Sequence, residues 1–184
     1  MTKKDDNKKT QEKEISKLIK SYSKALTILG QYDFRSLKNV GKNKKKTVLD
    51  YEECLNVVAS MKKHFEKKRE LADLFGIQNK DEKLKGIIGA IHQTFDKKEL
   101  YKTVEEKAAN LLYLAVKGHP FVDGNKKIAA ILFVYFLNKN NFLFNKNHEI
   151  KISENTLVTL ILLVSVSGPE EKEVMINLII NLIK

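Results

Sequence analysis

Apolar residues recur at helical spacing along most of the chain. Ile15, Leu18, Ile19, Tyr22, Ala25, Leu26 and Leu29 mark one face of an amphipathic helix that ends at Gly30 and is expected to pack on the rest. Met1 to about Thr10 carries no such pattern and reads as disordered. Gln31 to Thr47 is a connector, most basic at Lys42 and Lys44–Lys46. Asp50 with Glu53 is an N-terminal capping signal for a helix from Tyr51 to about Phe75, with Leu55, Val58, Met61, Phe65 and Leu71 as its apolar set. Gly76 to Lys80 breaks that helix, and Lys83 to Ile91 can form another. From His92 to Tyr101 the helical period is lost, and the Asp96-Lys97-Lys98 centre looks turn-like.

Thr103-Val-Glu-Glu106 is a capping box and opens a helix with Ala108, Leu111, Leu112 and Ala115 as its buried stripe, closed by Gly118. The segment Gly124–Leu137 is apolar on nearly every face, which predicts a buried central helix. Asn138 to Ile150 is a polar loop with Phe142 and Phe144 tucking back. Ser153 begins a buried helix to about Val166, and Pro169 stands at the first position of the last, with Met175, Leu178, Ile179 and Leu182 facing inward. The pattern predicts an all-α fold, and the scarcity of turn formers agrees: eight Gly and two Pro in 184 residues.

Composition narrows the setting. A single cysteine, Cys54, excludes an internal disulfide and fits a reducing, cytoplasmic environment. The stretch from Met1 to Lys20 is charged rather than apolar, so it does not read as a signal peptide. The longest strongly apolar run, Leu157 to Val166, is too short to span a bilayer, and no membrane association is expected. The formal net charge of +11 suggests nucleic acid until it is located. Residues 1–48 hold 14 Lys and Arg against 5 Asp and Glu, whereas residues 49–184 hold 20 against 18. The excess therefore lies in a solvated N-terminal region without aromatic interleaving, and nucleic acid is not the expected partner. His64, His92 and His148 show no metal-ligand spacing with one another or with Cys54.

The chemistry concentrates between the helix opened by Thr103 and the apolar segment, in His119-Pro-Phe-Val-Asp123-Gly-Asn125-Lys-Lys127. A helix N-terminus offers unpaired N–H groups and the positive end of the helix dipole, so it binds phosphate. Gly124 lets the backbone approach an anion, Asn125 adds a side-chain donor, and Lys126 and Lys127 add charge. Asp123 is a hard oxygen ligand suited to Mg²⁺ held jointly with substrate phosphates. Imidazole ordinarily titrates near neutral pH, and His119 is the candidate general base. Singly, each of these residues is ordinary turn or surface chemistry; together, between two helices, they point to phosphate chemistry.

HPFVDGNKK resembles the signature loop of the Fic/Doc (Fido) family, His-x-Phe-x-(Asp/Glu)-Gly-Asn-x-(Arg/Lys). Tyr101 to Tyr113 resembles the family's preceding helix, and Gly86 to Asp96 the segment that runs into its flap. Asp50-Tyr-Glu-Glu and the tail Pro169 to Met175 are similar to RhuM-type virulence and cell filamentation proteins. The resemblance implies a Fic-fold helical bundle over residues 49–184, with a short β-hairpin flap over the motif loop and residues 1–48 as a basic tail, helix and connector. It implies transfer from ATP, or another NTP, with Mg²⁺, onto a hydroxyl of a protein target. That target would dock on the flap near Thr94, Phe95 and Tyr101. In this reading His119 is the catalytic base, Asp123 holds the metal, Gly124, Asn125, Lys126 and Lys127 bind phosphate, and Phe121 anchors the loop.

The chain departs from the AMP-transferring signature in three places. Lys126 stands where that signature has a second glycine, Lys127 replaces Arg and loses its bidentate fork, and Ala130 replaces a second Arg. Gly-Asn-Lys resembles the Doc branch, which implies a toxin-like protein kinase that transfers the γ-phosphate. AMP transfer and a non-catalytic nucleotide- or partner-binding module are the alternatives. The family's inhibitory motif, (Ser/Thr)-x-x-x-Glu-(Gly/Asn), is not matched, because Ile150 precedes Glu154-Asn155 at the Ser/Thr position. Restraint is then expected from a separate antitoxin-like partner.

Overall fold

A computed structural model describes residues 13, 15–44, 47–66, 74–79 and 82–184. The chain divides into two units, Met1–Lys38 and Asn39–Lys184. In the first unit residues 15–21 are helical, and after a turn at Tyr22 α1 runs over Ser23–Asp33. Within this unit Ile15, Leu18, Ile19, Tyr22, Leu26 and Leu29 of the apolar stripe are exposed. Among the described residues of this unit no second helix or strand offers the stripe a partner.

The second unit begins with a connector tied to the bundle rather than running free. The buried Glu105 carboxylate accepts the N–H groups of Lys42 and Asn43, and Glu106 accepts the Asn39 side-chain amide. The Asn140 amide oxygen accepts the Thr47 N–H. Then follow α2 (Tyr51–Glu66), α3 (Lys83–His92), β1 (Thr94–Phe95), β2 (Lys98–Glu99), α4 (Val104–Gly118), α5 (Asn125–Lys139), α6 (Glu154–Val166), a 3₁₀ turn (Pro169–Glu171) and α7 (Lys172–Ile183). Residues 67–73, which hold the predicted end of the Tyr51 helix and Leu71, lie outside the described residues. Phe75 itself is not helical; it bridges to Asp123.

The structure is an all-α bundle with one short hairpin. Its hub is α4, which packs on α3, α5, α6 and α7. The expected central element, α5, is instead flanked. Ile128, Ala129, Leu132, Phe133, Phe136 and Leu137 face the core, whereas Ala130, Ile131, Val134 and Tyr135 line a cavity of about 950 Å³. Its all-round apolar pattern has two causes, a core on one side and a groove on the other. Thr103 caps α4 by the predicted capping box, and Ser153 caps α6 by accepting the Thr156 N–H. Phe142 is buried as expected, but Phe144 is exposed and sits in a bridge with Ile150 at the loop surface. In α7 Met175 and Ile179 are buried, joined by Ile176, Ile180 and Ile183, while Leu178 and Leu182 are half-buried. The hairpin pairs Thr94 with Glu99 and Phe95 with Lys98, and turns through Asp96 and Lys97, both left-handed (φ 48° and 59°). That pair of conformations matches the twist of a two-residue hairpin loop.

Candidate functional site

The loop between α4 and α5 is fixed from two directions. Its first residue, His119, closes α4 in the left-handed region at φ 44°, so the histidine itself, not Gly118, makes the helix-ending turn. This is an uncommon conformation for a residue with a Cβ, and it leaves the imidazole exposed. The carbonyl of His119 accepts the Asn79 side-chain amide at 2.7 Å.

Residues 76–79 run alongside the loop as a second strand would. Gly76 N–H donates to Asp123 O (3.3 Å), Val122 N–H to Ile77 O (2.8 Å), and Asn79 N–H to Pro120 O (3.0 Å). The Tyr51 hydroxyl, at the start of α2, donates to Gln78 Oε1 at 2.9 Å and steadies this segment. Nothing in the period of residues 76–80 signalled this role, because strand-like pairing with a loop leaves no hydrophobic repeat. Asn79 and Gln78 are therefore functional candidates that sequence reasoning passed over.

The second constraint is internal. Asn125 Oδ1 accepts the Phe121 N–H at 2.9 Å, and its Nδ2 donates to Phe121 O at 2.8 Å. One side chain thus closes the loop on itself. Phe121 is 1% exposed and anchors the loop in the core. Gly124 has φ 84°, and a Cβ there would stand 2.3 Å from Phe75 Cε2. Glycine is required by this aromatic packing as well as by its backbone.

What the loop leaves open is the N-terminus of α5. No side chain caps it, and its first turn carries no acidic residue but two lysines, Lys126 and Lys127. In α4 and α6 the same position has a cap and a glutamate. Cations at a helix N-terminus oppose the dipole, so the arrangement is unfavourable until an anion binds. Asp123 and Lys126 are exposed beside it. Lys127 holds its Nζ 5.7 Å from the centre of the Phe65 ring, at the edge of the cavity lined by Val57, Met61 and Val134.

A divalent cation fits this site with a specific division of labour. Among the described residues no group of three His, Cys, Asp or Glu side chains stands together to hold a metal. Asp123 can supply one hard oxygen, and the remaining oxygens would be those of substrate phosphates and water, as is usual for Mg²⁺. The hairpin residues stand apart from the loop's hydrogen bonds described above. Thr94 and Phe95 are exposed on β1, Phe95 to 84%. Tyr101 is half-buried, its hydroxyl pushed up by burial and by Glu173 and Glu106.

Among the described residues no helix is long and apolar enough to cross a membrane. A sequence model of the Fic/DOC family matches residues 13–137, more than half of the chain. The match starts in the first unit, earlier than the signature loop and its neighbours suggest, and ends within α5. Neither a curated protein nor a solved structure matches.

Proposed function

Because the chain belongs to the Fic/DOC family, whose members are protein-modifying transferases that use an NTP, we propose that it transfers the γ-phosphate of ATP to a hydroxyl of a protein target, as the Doc branch does. The observation that carries this reading is the uncapped, lysine-bearing N-terminus of α5 directly behind the exposed His119 and Asp123. Lys126 favours phosphate over AMP transfer: its side chain stands where a second glycine would leave room for an α-phosphate.

His119 takes the proton of the target hydroxyl. The resulting oxygen attacks the γ-phosphorus, the bond to the bridging oxygen breaks, and the nucleoside diphosphate leaves. The first N–H groups of α5, with Lys126 and Lys127, hold the charge that builds on the transferred phosphoryl group. Asp123 would hold Mg²⁺, which would supply positive charge to neutralise the phosphates. Thr94 and Phe95 offer the hairpin edge on which an extended target segment lies. A separate antitoxin-like protein is the proposed restraint.

The test is to incubate the protein and its His119→Ala variant with Mg²⁺, lysate and either α- or γ-labelled ATP. His119-dependent γ-label on a protein supports phosphate transfer. α-Label would replace it with AMP transfer, and label from neither nucleotide would leave a nucleotide- or partner-binding module.

A further inference from the structure

A lysine is buried in the bundle where the fold does not need one. Lys107, the fourth residue of α4, is 1% exposed and is surrounded along the helix by the buried Val104, Ala108 and Leu111. Its Nζ lies 3.0 Å from Glu99 Oε1 on β2 and 3.2 Å from His92 Nδ1. His92 ends α3 two residues ahead of Thr94, and Glu99 pairs with Thr94 across the hairpin. One ammonium therefore touches both feet of the hairpin. His92 Nε2 stands 3.3 Å from the Leu49 nitrogen, beside the residues that lead into α2; a neutral imidazole has one acceptor nitrogen, so the Lys107 and Leu49 contacts are alternative hydrogen bonds of one ring.

Burying an ion pair is a poor route to stability, because desolvation costs each partner several kcal/mol and an apolar side chain of similar volume is often as good or better. Burial pushes the Lys107 ammonium below the usual lysine range, with Glu106 partly offsetting it, so the site does carry that cost. What an apolar residue could not do is fix the hairpin from beneath.

We propose that Lys107 is a positioning residue that sets the pose of the β1–β2 hairpin through Glu99 and His92, and so the way a protein target is presented to His119. The second half of this statement rests on the reading of the hairpin as the target-docking flap. The first half stands on the geometry alone.

The test separates the two. Lys107→Met and Glu99→Gln are made in the full chain, and amide hydrogen exchange is followed at Leu100, whose N–H donates to Gln93 O at the hairpin mouth, and along α4. Exchange at Leu100 is expected to quicken at least about tenfold, the size of a lost charge-assisted hydrogen bond. Amides of α4 and the melting temperature should not fall with it. Unchanged exchange at Leu100 in both variants overturns the proposal. So does a joint loss of α4 protection and melting temperature, which would mark Lys107 as merely structural. If Lys107→Met fails to fold, Glu99→Gln, at a half-exposed position, decides alone. In transfer assays the variants should raise the KM for the protein target about tenfold and leave the KM for nucleotide unchanged; an equal loss with every target and nucleotide would overturn the positioning role. Absent transfer in the unmodified protein would instead count against the transferase reading and leave the exchange result standing.

Discussion

The Phe75 ring occupies the place where a side chain on Gly124 would begin, with 2.3 Å between a Cβ there and Cε2 of the ring. Gly124→Ala is therefore expected to cost about 1–3 kcal/mol by overpacking, added to the strain of a left-handed φ. Phe75→Leu combined with Gly124→Ala should recover part of that loss. Thermal unfolding of the single and double variants measures the coupling; strict additivity would show that the ring does not set the requirement.

Asn79 holds the turn that presents the candidate base. Asn79→Ala removes amide donations to His119 O and Phe121 O, at 2.7 and 3.3 Å. A loss of about 1–2 kcal/mol in stability is expected from two modest hydrogen bonds. The kinetic signature should be a fall in kcat of at least about tenfold with the nucleotide KM little changed, because the base and not the cradle moves.

Asn125→Asp separates folding from binding at the same loop. The carboxylate still accepts the Phe121 N–H and its charge suits a helix N-terminus, which offsets the lost donation to Phe121 O, where two acceptor oxygens now face each other. The melting temperature should hold within a few degrees, while affinity for ATP falls about tenfold or more through repulsion of the phosphates. Isothermal titration and a melting curve on one sample decide it.

The α2–α5 clasp gives a pH dependence with a definite sign. Burial pushes the Glu53 carboxyl up, but hydrogen bonds from Lys139 and Tyr135 outweigh it and hold the group below the ordinary glutamate range. A carboxylate depressed in the folded state contributes stability above its unfolded value and loses it as pH falls through the lower folded one. Acid titration of stability should therefore steepen below the usual glutamate range, and Glu53→Gln should flatten that limb.

Cys54 provides a probe of unfolding. Burial, reinforced by Glu53 and Asp50, pushes its thiol up to about 12, so the nucleophilic thiolate is scarce at neutral pH. A thiol reagent should leave the native protein unlabelled for hours and modify it promptly in denaturant.

The local signals were legible because each is written in a few adjacent residues. Asp50 accepts the Glu53 N–H, Thr103 and Glu106 form their box, Ser153 caps α6, and Asp96-Lys97 turns the hairpin. The signature loop was legible for the same reason. What stayed hidden depends on pairs far apart in the chain, Asn79 against His119 and Phe75 against Gly124, or on a contact between two elements, Lys107 of α4 against Glu99 of β2. The division of the α5 surface between core and groove also escaped, since a helix apolar on both sides looks the same whether its second side meets protein or empty space.

The pairing of residues 76–79 with the loop bears on how this site could be transplanted. A nine-residue signature inserted between two helices of another scaffold would lack the Asn79 amide, the Phe75 ring and the three backbone hydrogen bonds that shape it. It would keep the Asn125 clamp but lose the strap that holds His119 in its left-handed turn. The smallest portable unit is thus two separate lengths of chain, 75–79 and 119–127, carried on elements that hold them side by side.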